Sequence, residues 1–122
     1  MRASYHVIIA DDDVAIRSFI TRVIARTYPL AAISAVGDGL DALYIYQQRS
    51  ADLVITNHEM PVLSGLSLIE RLRIHSSTVP IIMVSAHPTA EPIARSLGVT
   101  DFLLKPFPIA ELVRVVTGVL PP

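Results

Sequence analysis

Two hydrophobic periods alternate along this chain, and that alternation restricts its fold more than any other feature. Val7-Ile8-Ile9-Ala10 is a short continuous apolar run rich in β-branched residues, the pattern of a strand buried on both faces. Behind Asp11-Asp12-Asp13, residues Ile16, Phe19, Ile20, Val23 and Ile24 recur at helical spacing, which predicts a helix with one apolar stripe. Asp13 suits its N-cap, and Pro29 forbids its continuation. The cycle then repeats. A run from Ala31 to Val36 closes at Gly37-Asp38-Gly39, and a helix from about Leu40 to Arg49 turns Leu43 and Tyr46 inward. Leu53-Val54-Ile55-Thr56 leads through a loop to a helix over about Leu66 to His75, with Leu66, Ile69 and Leu72 on its buried side. Ile81-Ile82-Met83-Val84 precedes a polar, proline-broken stretch, where Pro92 is expected to open a short helix ending at Gly98. Phe102-Leu103-Leu104 is the last strand, and Pro108 starts a final helix running to about Val119.

Strands joined by helical crossovers pair in parallel with right-handed connections. The reading is therefore an α/β fold: a five-stranded, doubly wound parallel sheet with helices on both faces. A chain of 122 residues fits one domain, here taken as residues 1–122 with a core from 5 to 119. No internal repeat or low-complexity segment interrupts it, and Pro121-Pro122 reads as the stub of a linker.

Composition excludes several functions. Hydrophobic residues make up 52% and charged residues 17%, far from the disordered regime. A net charge of -1 with scattered Lys and Arg provides no footprint for nucleic acid or an anionic membrane. The absence of cysteine removes disulfides and thiolate-held metals and suits a reducing compartment. No apolar run approaches a membrane span of about 20 residues. The start, Met1 to His6, lacks the apolar region and cleavage site of a signal peptide. A cytoplasmic location is expected.

In an open parallel sheet, function gathers beyond the C-terminal ends of the strands, where the strand order reverses. The residues there are Asp11, Asp12 and Asp13, then Asn57 and His58, then Ser85 and Ala86, and finally Lys105. Each has a plain alternative. Asp13 is an ordinary helix cap, Ser85 a loop hydroxyl, Lys105 a solvated lysine, and Arg17 a surface helix residue. His58 and His87, with Asp12, offer a candidate transition-metal site, although loop histidines are mostly solvated bystanders.

Taken in order, Ile9-Ala10-Asp11-Asp12-Asp13 with Arg17, Asn57-His58-Glu59-Met60-Pro61 with Gly65, Val84-Ser85-Ala86, and Phe102-Leu103-Leu104-Lys105-Pro106-Phe107 resemble the receiver domain of two-component response regulators. The single-domain chemotaxis regulators are members of that family. The resemblance runs from Val7 to about Val119. It implies the flavodoxin-like strand order 2-1-3-4-5, as in the receiver that serves as a standard example of that order. It also implies a Mg²⁺ site at Asp11, Asp12 and position 57, an aspartyl-phosphate formed at position 57, and phosphoryl contacts from Ser85 and Lys105. A cis Lys105-Pro106 bond is implied as well. Phe102 falls where the family often carries an aromatic ring whose burial reports activation, and Phe102 and Arg95 are the expected switch and interface residues.

Asn57 departs from that pattern. An amide nitrogen is resonance-locked and its oxygen bears no full charge, so neither atom can form the acyl-phosphate. Mg²⁺ binding is expected to be weak or absent, since a deficit of about 1.4 kcal/mol already means tenfold lower affinity. Two origins fit: a natural pseudo-receiver, or an Asp-to-Asn substitution. The stretch from Ala86 to Gly98 also looks about two residues short for the family, which predicts a late-starting fourth helix. The expected role is protein-protein signalling without enzymatic activity, with a histidine kinase, a downstream output protein or both as partners, and a weak homodimer as a further contact. The alternative is a small Mg²⁺-dependent phosphatase of the haloacid-dehalogenase type, with Asp11 as nucleophile and Asp13 as acid/base. After Lys105, however, the only acid is Glu111, and that fold needs an acidic pair there. A flavin carrier is discounted because the first strand-end loop is acidic and there is no Trp.

Overall fold

The computed structural model describes residues 4–122; Met1, Arg2 and Ala3 of the leader reading lie outside them. Strands and helices alternate in the order β1 (His6–Ala10), α1 (Val14–Thr27), β2 (Ala32–Val36), α2 (Gly39–Gln48), β3 (Leu53–Asn57), α3 (Gly65–His75), β4 (Ile81–Ser85), α4 (Ala90–Ser96), β5 (Asp101–Leu104) and α5 (Ile109–Val119). All strand pairs are parallel, as the alternating pattern predicts, and the sheet order is β2-β1-β3-β4-β5, the order that the family resemblance implies.

Side chains alternate across a strand, and here that alternation divides the core in two. Ile8, Ala10, Val54, Ile81, Met83 and Phe102 pack with Leu43, Tyr46, Leu68, Ile69 and Leu72, under α2, α3 and α4. Val7, Ile9, Leu53, Ile55, Ile82, Val84 and Leu103 pack with Ile20, Val23, Ile24, Leu112, Val115 and Val116, under α1 and α5. With both faces covered, the polar groups of the sheet can meet ligands only at the strand ends. No helix among the described residues is long and apolar enough to cross a membrane.

Three local expectations change. The strand predicted from Val7 begins at His6, whose buried ring bonds to the Ser50 carbonyl and to Ser34 Oγ. On α3 Leu68 is fully buried together with the expected Ile69 and Leu72, while Leu66 is only half-buried. The fourth helix does not open at Pro92 but at Ala90, with Thr89 at its N-cap position. Pro92 lies in the first turn, where backbone N–H groups have no intrahelical acceptor, so its missing donor costs nothing there. Gly98 does end the helix, with φ +93, the left-handed conformation that favours glycine. Arg73 on α3 donates to the Gly98 carbonyl from Nε and a terminal nitrogen, at 3.1 and 2.7 Å, and so ties α3 to the end of α4.

Gly65 is where the fold bears directly on the strand ends. Its backbone N–H donates to the His58 carbonyl at 2.8 Å, and a Cβ at this position would collide with the Asn57 carbonyl oxygen and press on the Met83 methyl. Because the first obstacle is backbone, relief requires the β3–α3 loop to move. Gly65→Ala should destabilise the domain by about 3 kcal/mol, seen as a lower urea midpoint at unchanged m-value; an unchanged midpoint would mean that the loop yields freely.

Candidate functional site

Asp11 follows β1 directly and has no solvent-exposed surface. Three groups hold it. Its Oδ1 accepts from Asp13 N–H at 2.9 Å, its Oδ2 receives Lys105 Nζ at 3.2 Å, and Arg17 donates to its backbone carbonyl at 2.8 Å. Arg17 is thus a brace for the acidic loop. Asp13 is the N-cap of α1, its Oδ1 accepting from Ala15 and Ile16 N–H at 2.9 and 3.1 Å. Asp12 is exposed, which leaves it as the solvent-facing carboxylate of the pair.

Asn57 is the last residue of β3 and is largely buried. Its amide bridges the pocket. Oδ1 accepts from Lys105 Nζ at 3.0 Å, while Nδ2 donates to Asp12 Oδ1 at 3.2 Å and to the Glu59 carbonyl at 2.7 Å. The environment permits one orientation only. The reverse would set NH₂ against an ammonium, and the amide oxygen against a carboxylate and a carbonyl. Lys105 follows β5, and its N–H donates to the Ser85 carbonyl at 2.8 Å, which fixes its stem beside β4. The Lys105–Pro106 bond is cis, as the resemblance implies.

Ser85 ends β4 and is fully buried. Its hydroxyl oxygen accepts from His87 N–H at 2.9 Å, a local turn that sets the start of the β4–α4 loop. A cleft of about 110 Å³ lies among Asn57, Glu59, Ser85, Ala86, His87 and Lys105. His87 Nε2 reaches Glu59 Oε1 at 3.0 Å across exposed surface, and the rings of His58 and His87 meet edge-on at 6.3 Å. Among the described residues no three His, Cys, Asp or Glu side chains are placed to share a metal. The candidate set of His58, His87 and Asp12 is therefore not assembled.

A Mg²⁺ ion takes oxygen donors in near-octahedral array. Here Asn57 turns its NH₂, not its oxygen, toward Asp12, whereas the sequence reading had Asn57 as a third ligand. Both Asp11 oxygens are already engaged. The side chains in this arrangement do not complete a Mg²⁺ site. The sequence reading missed two contributors, the Glu59 carbonyl and the His87 N–H. Both are backbone groups without a side-chain signature.

The expected interface residues fall on different sides of the surface. Phe102 is only 9% exposed and belongs to the core under α4, so it adds little to a contact face in this conformation. Arg95 lies outside and pairs with Glu91 and Asp101 at 3.0 and 3.3 Å. Its hydrogen bond to Glu91, aided by that to Asp101, outweighs desolvation and raises the guanidinium pKa above its ordinary value. Ile93 on the same helix and Leu104 at the end of β5 are each about half exposed, while Ile109, equally exposed, lines a groove between α1 and α5.

A buried carboxylate held by a strand-end lysine at the point where strand order reverses defines a doubly wound domain with its chemistry at one sheet edge. Sequence comparison gives the family: the response regulator receiver domain profile matches residues 7–117, and the chain belongs to that family, the receiver domains of two-component signalling. The transcriptional regulatory protein CseB of Streptomyces avermitilis is 34% identical over 98% of this chain and 51% of its own length. PrrA of Mycobacterium tuberculosis is 33% identical over 96% and 50%. The chain thus spans about half the length of these relatives. Among solved structures, the chemotaxis response regulator CheY4 of Vibrio cholerae superposes with a TM-score of 0.88 at 25% identity, covering 97% of this chain and 100% of that one. The Francisella response regulator 1452 receiver domain gives 0.84 at 30%, covering 95% and 96%. The dehalogenase-type alternative finds no support. Asp13, its required acid/base, is engaged as a helix cap, and the family match is to receivers.

Lys105 is the sole cation paired with the buried Asp11 carboxylate among the described residues. Lys105→Met should destabilise the domain by about 3 kcal/mol, the cost of leaving a buried charge unpaired. Adding Asp11→Asn should recover part of that loss in a double-mutant cycle. Additive losses in chemical denaturation would show that the two groups do not depend on each other.

Proposed function

We propose that this chain is a pseudo-receiver: a receiver domain that takes no phosphoryl group and signals through a protein surface that is always presented. The observation that carries this reading is Asn57, the residue at the end of β3, whose amide is hydrogen-bonded to Lys105, Asp12 and Glu59. Forming an aspartyl-phosphate requires a carboxylate oxygen to attack phosphorus as the donor's leaving group departs. The amide offers a delocalised nitrogen lone pair and a neutral oxygen, and both polar atoms already have partners. The domain has no enzymatic activity of its own, and Mg²⁺ binding at Asp11 and Asp12 is weak or absent.

The remaining parts of a receiver pocket support an inherited role. Ser85 and Lys105 occupy the strand ends where the family resemblance puts the phosphoryl contacts. Phe102 is buried, the orientation that the resemblance associates with activation, and this supports a single resting state already close to the active one. A switch needs a ligand that distinguishes two states, and phosphate is not available as that ligand. The partner is another protein, a histidine kinase or a downstream output protein, with a weak homodimer as a further contact. Arg95, Ile93, Leu104 and the exposed side of α5 form the contact face, and the setting is the cytoplasm.

Incubation with acetyl phosphate should leave the chain unmodified by mass spectrometry, while Asn57→Asp should acquire one acid-stable, base-labile phosphoryl group. An adduct on residue 57 of the parent chain would contradict the reading. A modified Asp variant would support the family assignment of Asp11, Asp12, Ser85 and Lys105, and an unmodified one would weaken it.

A further inference from the structure

We infer that the Asn57 NH₂ group is a built-in substitute for a divalent cation, so that the acidic pocket is complete without metal. This rests on the receiver reading and adds a mechanism for how the site persists without its ion. The NH₂ lies between Asp12 Oδ1 at 3.2 Å and the Glu59 carbonyl at 2.7 Å, two oxygens of the kind a hard cation gathers. The same amide presents its oxygen to Lys105 Nζ at 3.0 Å, while the second contact of that ammonium goes to Asp11 Oδ2 at 3.2 Å. One neutral side chain therefore supplies donors on its acidic side and an acceptor on its basic side.

Charge explains why this works with asparagine and not with aspartate. In this chain Asp11 is paired with Lys105, and the exposed Asp12 meets the Asn57 amide instead. Aspartate at position 57 would add a third carboxylate against the same lysine and present acceptors alone to Asp12 and the Glu59 carbonyl. That arrangement calls for a cation. The amide removes one negative charge and adds two N–H donors in the same volume, and each donor finds an oxygen. Because Asn57 ends β3 and Glu59 lies near the start of the loop that leads to α3, the amide also closes that loop onto the strand end. A cation entering here must expel the amide from both oxygens and turn it against the Lys105 ammonium.

The test compares thermal midpoints and Mg²⁺ titrations for the parent, Asn57→Ala and Asn57→Asp, each with chelator and with millimolar Mg²⁺. The parent should not shift. Asn57→Ala frees the oxygens without adding a carboxylate, and it should gain a Mg²⁺-dependent rise in midpoint. Asn57→Asp should be the least stable in chelator, rise most with Mg²⁺, and bind it at least about tenfold more tightly than the parent. A parent that responds as strongly as the Asp variant would overturn the inference. So would an Ala variant as unresponsive as the parent beside a responsive Asp variant: the missing charge, not the amide, would then account for the weak site, and the receiver reading would stand. An Asp variant without any Mg²⁺ response would overturn the acidic-pocket assignment and this inference together.

Discussion

The carboxylate of Asp11 has no access to solvent, so its charge has to be balanced from within the protein. A buried anion without a partner costs several kcal/mol. Here the balance comes from Lys105 Nζ, which reaches it across 94 residues of chain at 3.2 Å, and from the backbone of its own loop. Several features follow from this contact. β5 must lie near enough to β1 for the lysine to span β3 and β4. The β4–β5 pairing, with Ser85 opposite Leu104, sets the height from which Lys105 departs. The second Lys105 contact then falls on residue 57, at the end of the strand between them.

Residue 57 therefore sits at a junction between the Lys105 cation, the Asp12 carboxylate and the Glu59 carbonyl, and its chemistry bears on what the pocket requires. An aspartate there makes the cluster depend on something from outside. In the proposed reading the asparagine makes it self-sufficient, because an amide is donor and acceptor at once and here bonds on both sides. On that reading, the lack of phosphorylation and the lack of metal dependence have one source, the amide at position 57. The hydroxyl of Ser85 fits the same picture. It is engaged in its own loop with His87 N–H, and the aromatic ring of Phe102 is packed in the core under α4.

Most of the fold was legible in the sequence because burial on both sheet faces leaves continuous apolar runs, and Val7 to Ala10 and Ile81 to Val84 are of that kind. Helix ends marked by a capping side chain or by a glycine in the left-handed conformation were legible too, as Asp13 and Gly98 illustrate. Pro92 misled because proline is accepted throughout the first turn, so the residue bounds the helix start without locating it. Leu68 was missed because α3 rotates its buried stripe between Leu66 and Ile69. The strand-end residues could be named from their positions, whereas the direction of the Asn57 amide could not. That direction depends on the Glu59 carbonyl and on a lysine 48 residues away. Nor was the inward side of Phe102 readable from a four-residue strand. It follows from its register beside Met83, which faces the α2–α3–α4 side.

The central claim is that this receiver rests in one conformation with no phosphoryl-driven switch. Amide hydrogen exchange across residues 86–107, compared with and without Mg²⁺ and beryllofluoride, addresses it most directly, since that segment holds the β4–α4 loop, α4 and β5. Protection that is the same in both conditions is the result predicted by a closed, self-neutralised pocket. A large gain in protection confined to that segment would contradict it and show that the switch still answers a phosphoryl mimic.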